Sequence, residues 1–255
     1  MLIVSSQHTY ASSDIQLIFV PLSQQKEGAM ALTQRTFETV KGVVASVRGT
    51  ATVGEKMAFY DTWAGNYDQD VAVLDYHAAS QAASVISSHF SGDREAAVVL
   101  DVACGTGLVA KQMKLDGFGH FVGIDGSKAM LDVAQEKELY QDLKQCILGE
   151  QLLPAKTGSF DLVVICGALS VDHVPLRVVR ELCSACKPGG YVCMTCRHGH
   201  DNLPYKAALE RELKQMEEEG LWSCVAVTEV ENWAREVSGA EGSYISGSVY
   251  LYKKL

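Results

Sequence analysis

Val99-Leu100-Asp101-Val102-Ala103-Cys104-Gly105-Thr106-Gly107 is the stretch on which the fold turns. Residues 97–102 form an apolar run broken only by Asp101, which reads as a buried strand. Gly105-Thr106-Gly107 then turns the chain into a helix that runs to Leu115. Such a junction brings backbone N–H groups and a positive helix end to the carboxyl edge of a sheet. The glycines permit the tight turn and a close approach of ligand to backbone. Residues 105–110, Gly-Thr-Gly-Leu-Val-Ala, also fit the Gly-x-Gly-x-x-Gly/Ala pattern of dinucleotide sites, so this element alone leaves the ligand open.

The texture repeats outward from that junction. Residues 120–124, 144–148, 160–166 and 191–196 read as further strands, and helices are expected from Ser127 to Lys137 and from Pro175 to Ala185. A helix opening at Asn202-Leu203-Pro204 carries Tyr205, Leu209, Leu213 and Met216 on one face, and residues 224–230 and 244–252 read as two last strands. Strand and helix in alternation require a parallel sheet covered on both faces, here a doubly wound, Rossmann-like α/β sheet of about seven strands with an antiparallel edge. Upstream, residues 55–64 look helical, and Asp70 is expected to open one long helix through Val71, Leu74, Ala78, Ala82, Val85 and His89. We therefore divide the chain into a flexible tail (1–50), a helical cap (51–95) and the sheet domain (96–255), with a short amphipathic turn near Phe37 to Val47 inside the tail.

Composition narrows the function classes. The 255 residues carry 22 basic against 31 acidic side chains, a net charge of −9, which argues against a polyphosphate backbone or an anionic membrane as main partner. No stretch approaches a bilayer span, and residues 15–22 lack the basic flank and cleavage site of a signal peptide. The 8 cysteines sit largely in apolar runs, as free thiols in a reducing compartment do, so the cytoplasm or nucleus and a monomer are the expectation. Cys183-x-x-Cys186 and Cys193-x-x-Cys196 have the spacing of a zinc site, yet the second pair falls on a strand, where residues three apart point to opposite faces. No metal is expected.

Acids at the strand ends say more about the ligand. Asp101 stands four residues before Gly105, where a pyrophosphate would be repelled and an ammonium welcomed. Asp125 ends the second strand 20 residues after Gly105 and can accept both hydroxyls of a ribose. Gly149-Glu150 follows the third strand, and Cys166-Gly167-Ala168 leaves room after the fourth.

In order and spacing these segments resemble the class I S-adenosylmethionine-dependent methyltransferases. Residues 101–107 are similar to that family's first motif, 121–131 to its second, 148–154 to its third and 160–164 to its fourth, and 182–192 resemble its Leu-Lys-Pro-Gly-Gly stretch. Residues 59–72, Phe-Tyr-Asp-Thr-Trp-Ala-Gly-Asn-Tyr-Asp-Gln-Asp-Val-Ala, narrow the resemblance to one branch of the family. The resemblance implies S-adenosylmethionine as cofactor, S-adenosylhomocysteine as product, and a small-molecule or protein methyl acceptor. It places Asp101, Cys104, Gly105, Thr106 and Gly107 at the cofactor, with Asp101, Gly105 and Gly107 at its methionine end. Asp125 falls to the ribose, Gly126 and Met130 to the adenine, and Glu150 with Gln151 to the adenine edge, where the family more often has Asp. It gives the ammonium group to the Cys166 carbonyl and has Trp63 and Tyr67 close over the site.

A sulfonium is attracted by aromatic faces and carbonyl oxygens, which agrees with those roles. Methyl transfer asks the protein to align nucleophile and methyl and sometimes to remove a proton. Asp172 and His173, after the fourth strand, are the candidates for that base, with Arg197, His198 and His200 after the fifth. No Asn/Asp-Pro-Pro-Tyr signature follows the fourth strand, which, with the acidic charge, argues against a nucleobase acceptor. Two other readings use the same turn: a nicotinamide-dependent oxidoreductase, for which no Tyr-x-x-x-Lys pair follows the fourth strand, and a non-catalytic module that binds the cofactor.

Overall fold

In the computed structural model, residues 35–47, 52–237 and 242–255 are described. Seven strands make one sheet: β1 (Val98–Val102), β2 (His120–Asp125), β3 (Asp142–Gln145), β4 (Phe160–Ile165), β5 (Cys186–Arg197), β6 (Trp222–Arg235) and β7 (Tyr244–Lys254). Their order is β3-β2-β1-β4-β5-β7-β6. The first five pair in parallel, whereas β7 runs antiparallel to both β5 and β6. Because helices cover both faces, the central strands are apolar on both sides rather than alternating, as Val99-Leu100 in β1 and Val163-Val164 in β4 show.

Each face has its own core. On one, Val99, Phe121, Leu162 and Cys193 pack against α4 (Ala78–His89), α5 (Leu108–Leu115) and α6 (Lys128–Glu136). On the other, Leu100, Ile124, Val163 and Met194 pack against α7 (Val178–Ala185) and α8 (Leu203–Glu218). Helix α8 starts with Pro204 in its first turn, where a missing N–H costs nothing, and buries Leu209, Leu213 and Met216 at helical spacing. Arg180 of α7 ties it down by reaching Glu212 and Glu219 at 2.7 Å each. Cys193 belongs to one core, and Cys183, Cys186 and Cys196 to the other.

The sheet with its antiparallel edge is as the sequence led us to expect; three local readings are corrected. The single helix expected from Asp70 to His89 is two, α3 (Tyr67–Val73) and α4. Asp75 between them adopts a left-handed φ of 51° and accepts from Tyr244 Oη at 2.7 Å, while His77 donates its amide to the Trp233 carbonyl. Apolar spacing that happens to stay in phase across a turn hides this break. The third strand lies at Asp142–Gln145 rather than 144–148, because Cys146 hands its N–H to the Asp125 carbonyl and residues 147–151 close into a turn.

The third correction concerns the tail. Within it, α1 (Phe37–Val47) is a full helix, docked through fully buried Val40 against Leu74 and Val237. Arg35 forks onto Asp70, a fully buried carboxylate that also accepts from Trp63 Nε1 at 2.7 Å. Residues 1–34 of the expected tail lie outside the described residues. Helix α2 (Val53–Trp63) completes the cap, opened by a capping box between Thr52 and Glu55. No helix among the described residues is long and apolar enough to cross a membrane.

Candidate active site

At the carboxyl ends of β1, β2 and β4 the chain leaves the sheet in tight turns, and a cavity of about 830 Å³, open to solvent on one side, lies between them and the cap. The turn after β1 holds Ala103 at φ 55° and Gly105 at φ 54°, and Gly107 at φ 90° precedes α5. A non-glycine residue in that region costs about 1 kcal/mol or more and persists where its surroundings enforce it. Asp125 fixes the turn: its Oδ2 accepts from the Gly105 amide at 2.8 Å and its Oδ1 from the Ser127 amide at 2.9 Å. Each oxygen keeps a further lone pair, and burial pushes this carboxyl upward against the pull of those amides.

Six of the residues expected at the cofactor line this cavity: Tyr67, Gly105, Asp125, Gly126, Met130 and Cys166. Asp172 and His173 line it too. The others do not. Asp101 is buried in β1, two residues before the lining Ala103, and Tyr140 Oη donates to its Oδ2 at 2.7 Å. Its Oδ1 is buried with no partner at hydrogen-bond distance, and desolvation, helped by the Asp125 charge, pushes its pKa up to about 7 against the pull of Tyr140 and the Ala110 amide. An unpartnered carboxylate oxygen of this kind suits a bound ammonium group. Cys104 and Gly107 pack toward the Tyr140 ring, and Thr106 is buried, donating to Asp68 at 2.5 Å. Glu150 is exposed and Gln151 turns its Oε1 back to the Ile147 amide at 2.9 Å, so Cys146, Ile147 and Leu148 form that wall instead. The positive φ of 84° at Gly149 folds the two polar residues outward.

Lys56, Met57 and Tyr60 of α2 supply the cap side of the cavity and were not foreseen. Lys56 is buried and donates to the Asp172 carbonyl, pinning the loop after β4. Asp61 accepts from Ser127 Oγ at 2.6 Å and the Ala129 amide at 3.1 Å, which seats α2 on the N-terminus of α6. The aromatic run Phe59-Tyr60-x-x-Trp63 was the one available signal.

A second cavity, of about 1040 Å³ and also open, adjoins the first. The two share Tyr60, Tyr67, Gly167 and His173 as a common wall, and Trp63 belongs to the second alone. Gly167 has φ 75° and the Tyr76 hydroxyl lies where a Cβ would stand, so any side chain there is strained and must displace Tyr76. At the wall, His173 Nδ1 lies 3.1 Å from the Val171 carbonyl, which can only accept, so that nitrogen carries the proton. Nε2 then offers its lone pair to Tyr60 Oη, 3.3 Å away. Burial, with Lys56 and Arg197 nearby, lowers the His173 pKa, and burial pushes Tyr60 up to about 12. The pair is a neutral imidazole facing a protonated phenol. His198 and His200 line neither cavity; Arg197 lines the second and forks onto Asp201 with both bonds at 2.7 Å.

A parallel sheet with a glycine turn after β1, a carboxylate after β2 and a roofed cavity beyond both defines a nucleotide-cofactor α/β protein. Comparison with known proteins makes this specific. Residues 100–194 match a family described as a methyltransferase domain. Human Methyltransferase-like protein 27 is 45% identical over 183 residues, spanning 72% of this chain and 74% of that protein. A TehB-like SAM-dependent methyltransferase from Corynebacterium glutamicum shares the fold with a TM-score of 0.52 at 16% identity, over 78% of this chain and 99% of that one. Geranyl diphosphate C-methyltransferase from Streptomyces coelicolor, crystallised with S-adenosylhomocysteine, does so with a TM-score of 0.50 at 14% identity, over 69% and 76%. The chain belongs to the class I S-adenosylmethionine-dependent methyltransferases. Within them it stands beside the methyltransferase-like protein of the Williams–Beuren syndrome chromosomal region, the branch that residues 59–72 resemble.

Proposed function

We propose that this enzyme methylates a small-molecule acceptor at the wall its two cavities share, with the cofactor in the first cavity. The observation that carries this reading is the shared wall itself: Tyr60, Tyr67, Gly167 and His173 face both spaces. When bound, the cofactor supplies an electrophilic methyl carbon on a sulfonium leaving group. Asp125 holds the ribose hydroxyls with its remaining lone pairs, and Gly126, Met130 and residues 146–148 enclose the adenine. The Cys166 carbonyl takes the ammonium group, with the charge of Asp101 buried behind the turn, while Cys104, Thr106 and Gly107 shape the turn. Tyr67 covers the reacting end, braced by Trp63 at a ring-centroid distance of 4.9 Å, and excludes water. His173 takes the acceptor's proton on Nε2. A concave site lined mainly by apolar and aromatic side chains suits a small molecule.

Calorimetric titration of the purified chain with S-adenosylmethionine, S-adenosylhomocysteine and NAD in parallel tests this. Micromolar binding of the first two and none of NAD supports the assignment of the first cavity. Binding of NAD alone would overturn it. Binding without turnover of any acceptor would leave a cofactor-binding module in place of an enzyme.

A further inference from the structure

The walls of the second cavity carry a chemical description of what enters it. Five aromatic rings line it: Tyr60, Trp63, Tyr67, Tyr76 and Trp233. Their polar handles are largely engaged elsewhere. Trp63 gives its N–H to Asp70 at 2.7 Å, Tyr60 points its hydroxyl at His173, and the Tyr76 hydroxyl packs on Gly167. Carbon faces remain for the cavity. Trp63 and Tyr67 stand at 70° to each other, and Tyr76 and Trp233 at 90°, so flat surfaces meet edges on two sides. Such walls favour a planar ring, which can stack on one side and meet an edge on the other.

Charge narrows the choice further. Arg197 is forked onto Asp201, Arg235 lies 5.8 Å over the Phe37 ring and Glu236 accepts from Ser243 Oγ at 3.2 Å, so the charges of this lining, with Asp201 behind Arg197, sum to zero. A lining without net charge suits an uncharged ligand. At the reacting end, Lys56 and Arg197 disfavour the protonated form of His173 while Asp172 favours it, and at Tyr60 Asp125 disfavours an anion while Arg197 favours one. His173 therefore stays neutral, with Nε2 available to take a proton from an oxygen acceptor.

We propose, resting on the methyltransferase reading above, that the second cavity is the acceptor site and that its substrate is an uncharged planar phenol, methylated on oxygen. The phenol's proton goes to His173 Nε2, directly or through the Tyr60 hydroxyl. The oxygen lone pair forms the new C–O bond as the methyl–sulfur bond breaks and its electron pair stays on sulfur. The products are an aryl methyl ether, S-adenosylhomocysteine and one proton, which His173 returns to solvent. Helix α1 is then part of the specificity apparatus, because Val44 lines the second cavity and not the first.

The full chain saturated with S-adenosylhomocysteine would be titrated with 2-naphthol, following tryptophan fluorescence, with 2-naphthoate and cyclohexanol as comparators. In the variant Val44→Trp the second cavity is obstructed. Quenching by 2-naphthol, at least tenfold weaker for both comparators and for Val44→Trp, with unchanged affinity for S-adenosylhomocysteine, is the expected result. With S-adenosylmethionine in its place, mass spectrometry should find 2-methoxynaphthalene. If S-adenosylhomocysteine binds but 2-naphthol is ignored, bound no better than 2-naphthoate, or bound equally by Val44→Trp, the phenol site is wrong and the methyltransferase reading stands. If S-adenosylhomocysteine itself does not bind, both fall.

Discussion

Asp101 and Asp125 are both acids at the sheet edge, but the fold treats them differently. Asp125 has a backbone amide on each oxygen, whereas Asp101 has one tyrosine hydroxyl and one bare oxygen. On the proposed reading, replacing Asp125 by Ala removes the ribose's charged acceptor, and calorimetry should show S-adenosylhomocysteine binding weakened by roughly 1–3 kcal/mol. Asp101 leaves a mark on stability instead. Its folded pKa of about 7 lies above the unfolded value near ~4, so the folded state holds more protons across that window. Stability from this group is therefore present in acid and lost as pH rises toward 7. Without cofactor, Asp101→Asn should melt progressively higher than wild type between pH 5 and pH 8, and a difference that does not change with pH would refute the assignment. His173 has the opposite sign, since its pKa is lowered by burial with Lys56 and Arg197 opposing its charge and Asp172 favouring it. It stays neutral below the usual histidine range, so the acid limb of kcat should fall below about pH 6.5. His173→Gln should cut kcat by about 10²–10⁴-fold with cofactor affinity retained.

At the scale of elements, the strands and their glycine turns were legible because each carries its own local signal. Asp125 and Gly105 could be placed by counting along the chain. The cap could not. Lys56 and Met57 reach the cavity from a helix whose pattern differs little from that of any surface helix, and only the aromatic run beside them marked it. Glu150 misled for the converse reason: the acid stands at the right sequence position, but Gly149 turns it to solvent. Helix α1 looks like tail in the sequence because its short apolar face has too few partners nearby in the chain; Leu74 and Val237 arrive from distant segments. Its anchor is the Arg35–Asp70 pair. Arg35→Ala would leave a fully buried carboxylate with only Trp63, a loss on the order of 3 kcal/mol. In a chain of this size that is roughly 6–12 °C of melting temperature, readable by scanning calorimetry.

For the whole molecule, a cofactor seated as proposed would bridge cap and sheet and should report on their union. S-adenosylhomocysteine at about 100 times its Kd should add about 2.7 kcal/mol, or roughly 5–11 °C in Tm, and NAD at the same concentration nothing. A shift produced by NAD and not by S-adenosylhomocysteine would contradict the site as drawn. The strand order has a separate consequence, for the order in which the molecule can be assembled. Strand β6 is made before β7, yet in the sheet β7 lies between β5 and β6. As the chain leaves the ribosome, the 14 residues of β6 have no strand to pair with until the eleven residues of β7, which begin at Tyr244, follow them out. Exposed acids, Glu229 and Glu231, sit along that waiting strand, where their charge discourages pairing with a neighbouring nascent chain.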